Sequence, residues 1–185
     1  MKRLSLMVAL ALAMALSAAA QAKSRNVTDP DIPRELPASG PVSVQWTDPA
    51  EFSELRYSGN RWEAQRGNWV VDLAKYIQTQ AAKRLDAGQQ LQVTITDISR
   101  AGTYLPVAGP RVHNDVRIVK DLYPPRMTLN FRLSDANGNV LSEGERKLRD
   151  SSFLMNASIN DTDPLRYEKR MLDDWMRNEF GAKDS

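Results

Sequence analysis

Alternating apolar and polar residues mark three segments of this chain as half-buried β-strands. The segments are residues 42–46, 91–95 and 127–133, and each places its apolar side chains at every second position. Because successive side chains of a strand point to opposite faces, this spacing predicts one face against a core and one face in solvent. A fourth segment, 140–148, is polar enough that we expect one solvated face there as well. Residues 116–119 form a shorter strand-like piece.

The dipeptide Asn137-Gly138 follows the third predicted strand and predicts a hairpin. Asn-Gly favours a type I′ turn, in which both central residues need positive φ. With a two-residue loop, Arg132 faces Glu143 as a favourable cross-strand charge pair. A three-residue loop shifts the pairing by one residue, and the sequence leaves both registers open.

Helical spacing of apolar residues appears twice. Residues 69–85 carry apolar side chains at i, i+3, i+4 and i+7, with Asn68 in position to cap the helix. A second helix is expected to start at Thr162 or Asp163 and to end at Gly181. We therefore predict an α+β fold with a mostly antiparallel β-sheet of about four to five strands and two helices packed on one face.

The first 22 residues resemble an export signal rather than part of the fold. Lys2 and Arg3 precede the apolar residues 4–16, and a small-x-small site predicts cleavage after Ala22. A membrane anchor of about 20 apolar residues is the alternative. Residues 23–41 are rich in proline and predict a flexible leader that leaves little for a core. Residues 42–181 then form a single domain.

Cleavage changes the charge of the chain. Removing Lys2 and Arg3 takes two of the 25 basic residues and leaves 23, equal to the 23 acidic residues. A near-neutral mature chain does not favour nucleic acid as a partner. The chain has no cysteine, so its stability cannot depend on disulfides, and we expect a periplasmic protein with no integral membrane segment after cleavage.

Sequence motifs for catalysis are absent. There is no GxSxG or SxxK serine motif and no glycine-rich phosphate loop, so we predict no catalytic residue, no metal site and no cofactor. The only histidine, His113, fits a turn residue better than a general base or a metal ligand. An alternative reading makes the protein a periplasmic hydrolase-like enzyme whose acid and base residues are Asp97, His113, Asp115 and Asp121.

Basic residues concentrate between positions 99 and 126, in a long segment punctuated by proline and glycine. This segment contains five basic and two acidic residues, and Tyr104 and Tyr123 lie among them. The candidate binding residues are Arg100, Arg111, Arg117, Lys120, Tyr123 and Arg126. The alternative is that Arg117 and Arg126 pair with nearby aspartates or strand neighbours and only fix the loop in place.

The leading hypothesis is a non-catalytic binding or interaction module of the bacterial envelope that uses residues 99–126. Arginine clusters favour an anionic ligand or an acidic envelope protein as the partner. A third reading, a structural envelope component, predicts no pocket and a large exposed apolar patch. The oligomeric state is not predicted.

Four stretches of the chain are similar to a family of domains of unknown function, family 3016. They are DVRIVKDLYPPR at 115–126, LRDSSFLMN at 148–156, DPLRYEK at 163–169 and LDDW at 172–175. The resemblance covers nearly all of residues 42–180 and implies a secreted protein of Gram-negative bacteria. It brings no activity, ligand or catalytic residue with it.

Overall fold

The structure, a computed structural model, describes residues 25–105, 115–155 and 161–181. The predictions on the signal segment and on Arg111 and His113 fall outside these ranges. The described strands are β1 (Val42–Trp46), β2 (Gln90–Ser99), β3 (Arg126–Ser134) and β4 (Val140–Arg149). The helices are α1 (Ser53–Arg56), α2 (Arg61–Gln65), α3 (Trp69–Ala82) and α4 (Arg166–Phe180), and a 3₁₀ turn spans Pro49–Glu51.

The four strands form one mixed sheet in the order β1-β2-β3-β4. β2, β3 and β4 are antiparallel neighbours, whereas β1 runs parallel to β2 with Val42 opposite Leu91. A parallel neighbour requires a crossover connection, and α3 lies within it. The predicted α+β class and the mostly antiparallel sheet are confirmed.

The core lies between one face of the sheet and the helices α3 and α4. The predicted apolar stripes of both helices are buried, as are the inward residues of β1, β2 and β3. Phe131 on β3 meets Trp175 and Phe180 of α4 edge to face, with ring centroids 6.1 and 6.2 Å apart. No helix in the described ranges is long and apolar enough to cross a membrane.

Helix ends differ from the sequence prediction. The first long helix stops at Ala82, because Arg84 N–H already bonds to Ala81 O in a tighter turn. Asn68 precedes this helix, but its side chain makes no capping hydrogen bond. α4 starts only at Arg166, after the Asp163 carboxylate has accepted the Leu165 N–H at 2.8 Å.

The β3–β4 hairpin combines both registers that the sequence left open. Gly138 has φ +83°, but no non-glycine residue among those described has positive φ, so the predicted type I′ turn is wrong. Asp135 N–H bonds to Asn139 O, which makes a three-residue loop. An irregularity between Leu133 and Ser134 then shifts the pairing, and Arg132 does face Glu143.

Two predictions about connecting segments were wrong. The described part of the leader contributes to the core, because Val27 and Leu36 are buried in it and Leu36 N–H bonds to Val44 O beside β1. Residues 50–67 carry Phe52, Tyr57 and Trp62 without clean periodicity, which predicts an irregular connection whose aromatic residues cap the core. The segment forms α1 and α2 instead, and only Phe52 of the three is buried in the core, since Tyr57 and Trp62 are 74% and 66% exposed.

Candidate functional site

The short helix α1 is fixed to strand β2 by one carboxylate. Asp97 accepts hydrogen bonds from Ser53 N–H at 2.6 Å and from Ser53 Oγ–H at 2.7 Å. This attachment satisfies an N–H group at the start of the helix. It also places Glu54, the next residue, beside the end of β2.

Glu54 is a buried carboxylate shared by two arginines. Its Oε1 accepts from Arg100 Nε at 3.2 Å and Nη2 at 2.9 Å, and also from Arg117 Nη2. Its Oε2 accepts from the Arg100 backbone N–H at 2.8 Å. Burying a carboxylate is costly unless it is paired and hydrogen-bonded, and here both oxygens are engaged.

The two arginines are further fixed by carbonyls and aromatic rings. Arg100 donates to Ala64 O at 3.0 Å and lies 4.5 Å from the centroid of a Trp69 ring. Arg117 donates to the Ala101 and Gly102 carbonyls at 3.1 and 3.2 Å. Burial lowers the pKa of the Arg100 guanidinium, and the charge of Glu54 opposes this shift. These contacts occupy both arginines within the fold.

A second buried carboxylate, Glu168 of α4, lies behind this cluster. It is 1% exposed, and its Oε1 accepts the Ala101 N–H at 2.6 Å. Its Oε2 is buried without a hydrogen-bond partner among the described residues. Burial raises the pKa of the Glu168 carboxyl, although the Ala101 N–H and the charges of Arg100 and Arg117 act against the shift.

Gly102 allows the following loop to approach closely. Its φ is +79°, and a Cβ there would lie 2.7 Å from Ile118 O. Thr103 and Ile118 exchange backbone hydrogen bonds of 2.9 and 2.8 Å. Among the described residues this is the only bridge made by the piece predicted as a strand at 116–119. Only glycine fits this conformation and this space.

A cavity of about 560 Å³ opens between α1, the loops around Arg117 and Tyr123, and the solvent face of the sheet. This volume is within the usual range for small-molecule sites. Its basic lining residues are Arg100, Arg117, Arg126, Lys147 and Arg149, and its acidic lining residues are Glu54 and Asp97. Since Glu54 and Asp97 already bind groups of the protein, the lining presents a surplus of positive charge.

That surplus lies on the ends of β3 and β4. Arg126 and Arg149 stand directly opposite each other across the two strands, and Lys147 is the next residue on that face. Like charges directly opposite in a sheet are destabilising. Neither arginine makes an ion pair within the parts of the chain that the structure describes, whereas Lys147 lies 3.1 Å from Glu145 in an exposed pair.

The structure brings four of the six candidate binding residues together. Arg100, Arg117, Tyr123 and Arg126 line the cavity, whereas Lys120 does not, and Arg111 is outside the described residues. Arg117 fixes the loop, as the alternative reading expected, but its partner is Glu54 rather than a neighbouring aspartate. We expect an Arg117 substitution to perturb this loop as well as any binding.

Lys147 and Arg149 were missed from the sequence, although a signal existed. The register that pairs Arg132 with Glu143 also places Arg149 opposite Arg126. Following the hairpin to its open end would therefore have identified the basic pair. No pattern in the sequence indicated that Glu54 would be buried between two arginines.

The carboxylates of the enzyme reading do not converge. Asp97 lines the cavity but is bound to Ser53, and Asp115 and Asp121 lie on exposed positions outside the lining. Within the described ranges, no group of three or more His, Cys, Asp or Glu side chains is arranged to hold a metal ion. The geometry gives the enzyme reading no support.

Replacing Glu54 with glutamine should destabilise the protein strongly. Glu54→Gln leaves two largely buried arginines without a counter-charge, which we expect to lower the free energy of unfolding by about 3 kcal/mol or more. Denaturant unfolding measures this change. Glu63→Gln is the matched control, because its surface pair with Arg66 is worth less than about 1 kcal/mol. Equal effects of the two substitutions would contradict a structural role for Glu54.

Replacing Glu168 with glutamine should remove a pH-dependent penalty. A carboxyl group whose pKa is raised in the folded state contributes stability below the unfolded value, about 4.5, and loses it as pH rises through the folded pKa. Glu168→Gln should therefore be more stable than the unmodified protein near neutral pH, and the difference should shrink towards pH 4.5. Thermal unfolding across this range measures it, and a constant difference would argue against the shift.

The comparisons with known proteins give one match. Residues 40–178 match a family described as "Protein of unknown function (DUF3016)". Searches of curated proteins and of solved structures found no significant match. The match covers well over half of the chain and contains every residue named at the cavity. The chain therefore belongs to the DUF3016 family of proteins of unknown function.

Proposed function

We propose that this protein is an exported, periplasmic binding module that holds an anionic ligand in the cavity above Arg126 and Arg149. The ligand class is a small molecule or polymer end that carries phosphate or carboxylate groups. Arginine pairs favour such groups because the planar guanidinium can donate two parallel hydrogen bonds to them.

The cross-strand pair of Arg126 and Arg149 is the observation that carries this proposal. Two arginines opposite each other cost stability unless an anion lies between or above them. Residues at a functional site often retain unfavourable contacts of this kind, because the bound ligand offsets the repulsion between the like charges. Both residues belong to paired strands, so their backbone positions are fixed and a ligand has only the two side chains to order.

The other cavity residues support an anion that also has an apolar part. Tyr57 and Leu122 line the cavity and are 74% and 70% exposed. Exposed apolar side chains beside convergent polar groups are typical of ligand pockets. Arg100 and Arg117 add positive potential from behind while their hydrogen bonds stay within the protein.

Removing the basic pair should weaken anion binding without harming the fold. The probes are inorganic pyrophosphate and citrate, titrated calorimetrically at low salt. The double variant Arg126→Ala/Arg149→Ala should bind at least one probe roughly tenfold more weakly than the unmodified protein, since charge-assisted hydrogen bonds are lost. Its thermal stability should be unchanged or slightly higher, because a like-charge contact is removed.

The matched control is Arg132→Ala/Arg177→Ala, which removes two exposed arginines outside the cavity. This control carries the same net charge as the test variant and should retain binding. Equal weakening in both variants would indicate a non-specific charge effect. No binding of either probe by the unmodified protein would count against the proposal.

Export is tested separately from binding. When the full chain is produced in a Gram-negative host, we expect the periplasmic fraction to contain a protein that begins at Lys23, as measured by intact mass. A start at Lys23 follows from the small-x-small site that ends at Ala22. A chain that starts at Lys23 after an added methionine is the control and should stay in the cytoplasm. Retention of residues 1–22 in the membrane fraction would favour the anchor alternative.

A further inference from the structure

Strand β4 forms one edge of the sheet and has no neighbour on its outer side within the described ranges. None of the ten residues of β4 is fully buried. An edge of this length presents a row of unpaired backbone N–H and C=O groups. Charged residues on edge strands commonly prevent pairing, so the order of charges along β4 decides what this edge can accept.

The hydrogen-bond pattern fixes which β4 residues turn their backbone outward. Asp150 N–H bonds to Pro125 O across the two strands. Hydrogen-bonded and non-hydrogen-bonded pairs alternate along an antiparallel ladder. Arg126 and Arg149 therefore form a non-hydrogen-bonded pair. The backbone N–H and C=O groups that point away from β3 belong to residues 143, 145, 147 and 149. These same residues carry side chains on the solvent face.

Along this face the charges run Glu143, Glu145, Lys147, Arg149. If a second β4 strand is laid antiparallel against the first with Arg146 at the twofold axis, residue 143 meets 149 and residue 145 meets 147. Every pair on the solvent face is then of opposite charge. Shifting the partner by two residues in either direction places Glu145 opposite Glu145 or Lys147 opposite Lys147, which is unfavourable.

The same register also brings apolar surface together. It places residues 140 and 141 of one copy opposite residues 152 and 151 of the other, at the turn that carries Leu154 and Met155. Val140, Leu141, Leu154 and Met155 are all exposed in the single chain. Arg146 at the axis is already neutralised by Glu179 of its own chain, with contacts of 2.8 and 2.9 Å.

We propose that β4 is a homodimer interface, at which two copies of this chain join edge to edge into a continuous eight-stranded sheet. The interface is isologous, as expected for a twofold dimer, and its register is set by the charge order of β4. It is small, so the dimer is in equilibrium with the monomer. The proposal does not depend on the proposed ligand.

A charge swap tests both the interface and its register. Glu145→Lys and Lys147→Glu each convert two opposite-charge pairs of the dimer into like-charge pairs. Across β3 these residues face the neutral Asn130 and Thr128, and the ion pair that they form with each other is exposed, so the fold should tolerate both changes. Sedimentation velocity over a concentration series should show dimers for the unmodified mature chain, and dimerisation weakened roughly tenfold or more in each single variant.

Two combinations then restore the pairing. The double variant Glu145→Lys/Lys147→Glu again has opposite charges at every position and should dimerise like the unmodified chain. An equimolar mixture of the two single variants should form heterodimers, because the charges of one complement those of the other. Circular dichroism confirms that each variant is folded.

Three results would overturn the proposal. The unmodified mature chain could stay monomeric at every concentration reached. The single variants could dimerise as strongly as the unmodified chain, which would place the interface elsewhere. Failure of both the double variant and the mixture to recover dimers would exclude this register. Glu145→Lys changes no residue that lines the cavity, whereas Lys147→Glu does, so Glu145→Lys is the variant that separates the dimer proposal from the ligand proposal.

Discussion

The carboxylate of Glu54 is the interaction on which the cavity depends. It joins three separate parts of the chain: the short helix α1, the end of β2 at Arg100, and the loop residue Arg117. Through Arg100 the network also reaches Ala64 O of α2. A buried carboxylate with two arginines is stable only while all three charged groups remain in contact, because each would otherwise be desolvated without compensation. The network therefore sets the distance between α1 and the loop, and that distance is the opening of the cavity.

This arrangement divides the basic residues into two groups with different roles. Arg100 and Arg117 are largely buried and bonded to Glu54 and to backbone carbonyls, so they hold the walls of the cavity. Arg126 and Arg149 are exposed, stand opposite each other on paired strands and have no acidic partner among the described residues. Arg100 and Arg117 keep the wall of the cavity in place, and this leaves Arg126 and Arg149 accessible at the strand ends. Because both arginines stand on paired strands, an anion that binds them has only their side chains to order.

The same strand, β4, takes part in both proposed interactions. Its side chains at Lys147 and Arg149 face the cavity, while its outer backbone groups face the free edge of the sheet. In the proposed dimer, Arg149 would also meet Glu143 of the second copy. An anion in the cavity and a second copy at the edge would then compete for one arginine, and such competition is reciprocal by thermodynamic linkage.

The sequence by itself determined the features that depend on local periodicity. Alternation identified the inward faces of β1, β2 and β3, and the helical stripes identified the buried faces of α3 and α4, because these patterns follow from backbone geometry alone. The basic segment at 99–126 was also visible as a charge count. Tertiary structure alone decided which of those charges are free. Glu54 is 46 residues from Arg100 and 63 residues from Arg117 in the sequence, so no local pattern predicts these ion pairs. The need for glycine at position 102 likewise depends on the close approach of Ile118. The burial of Leu36 depends on its pairing with strand β1. Both are contacts between separate segments of the chain.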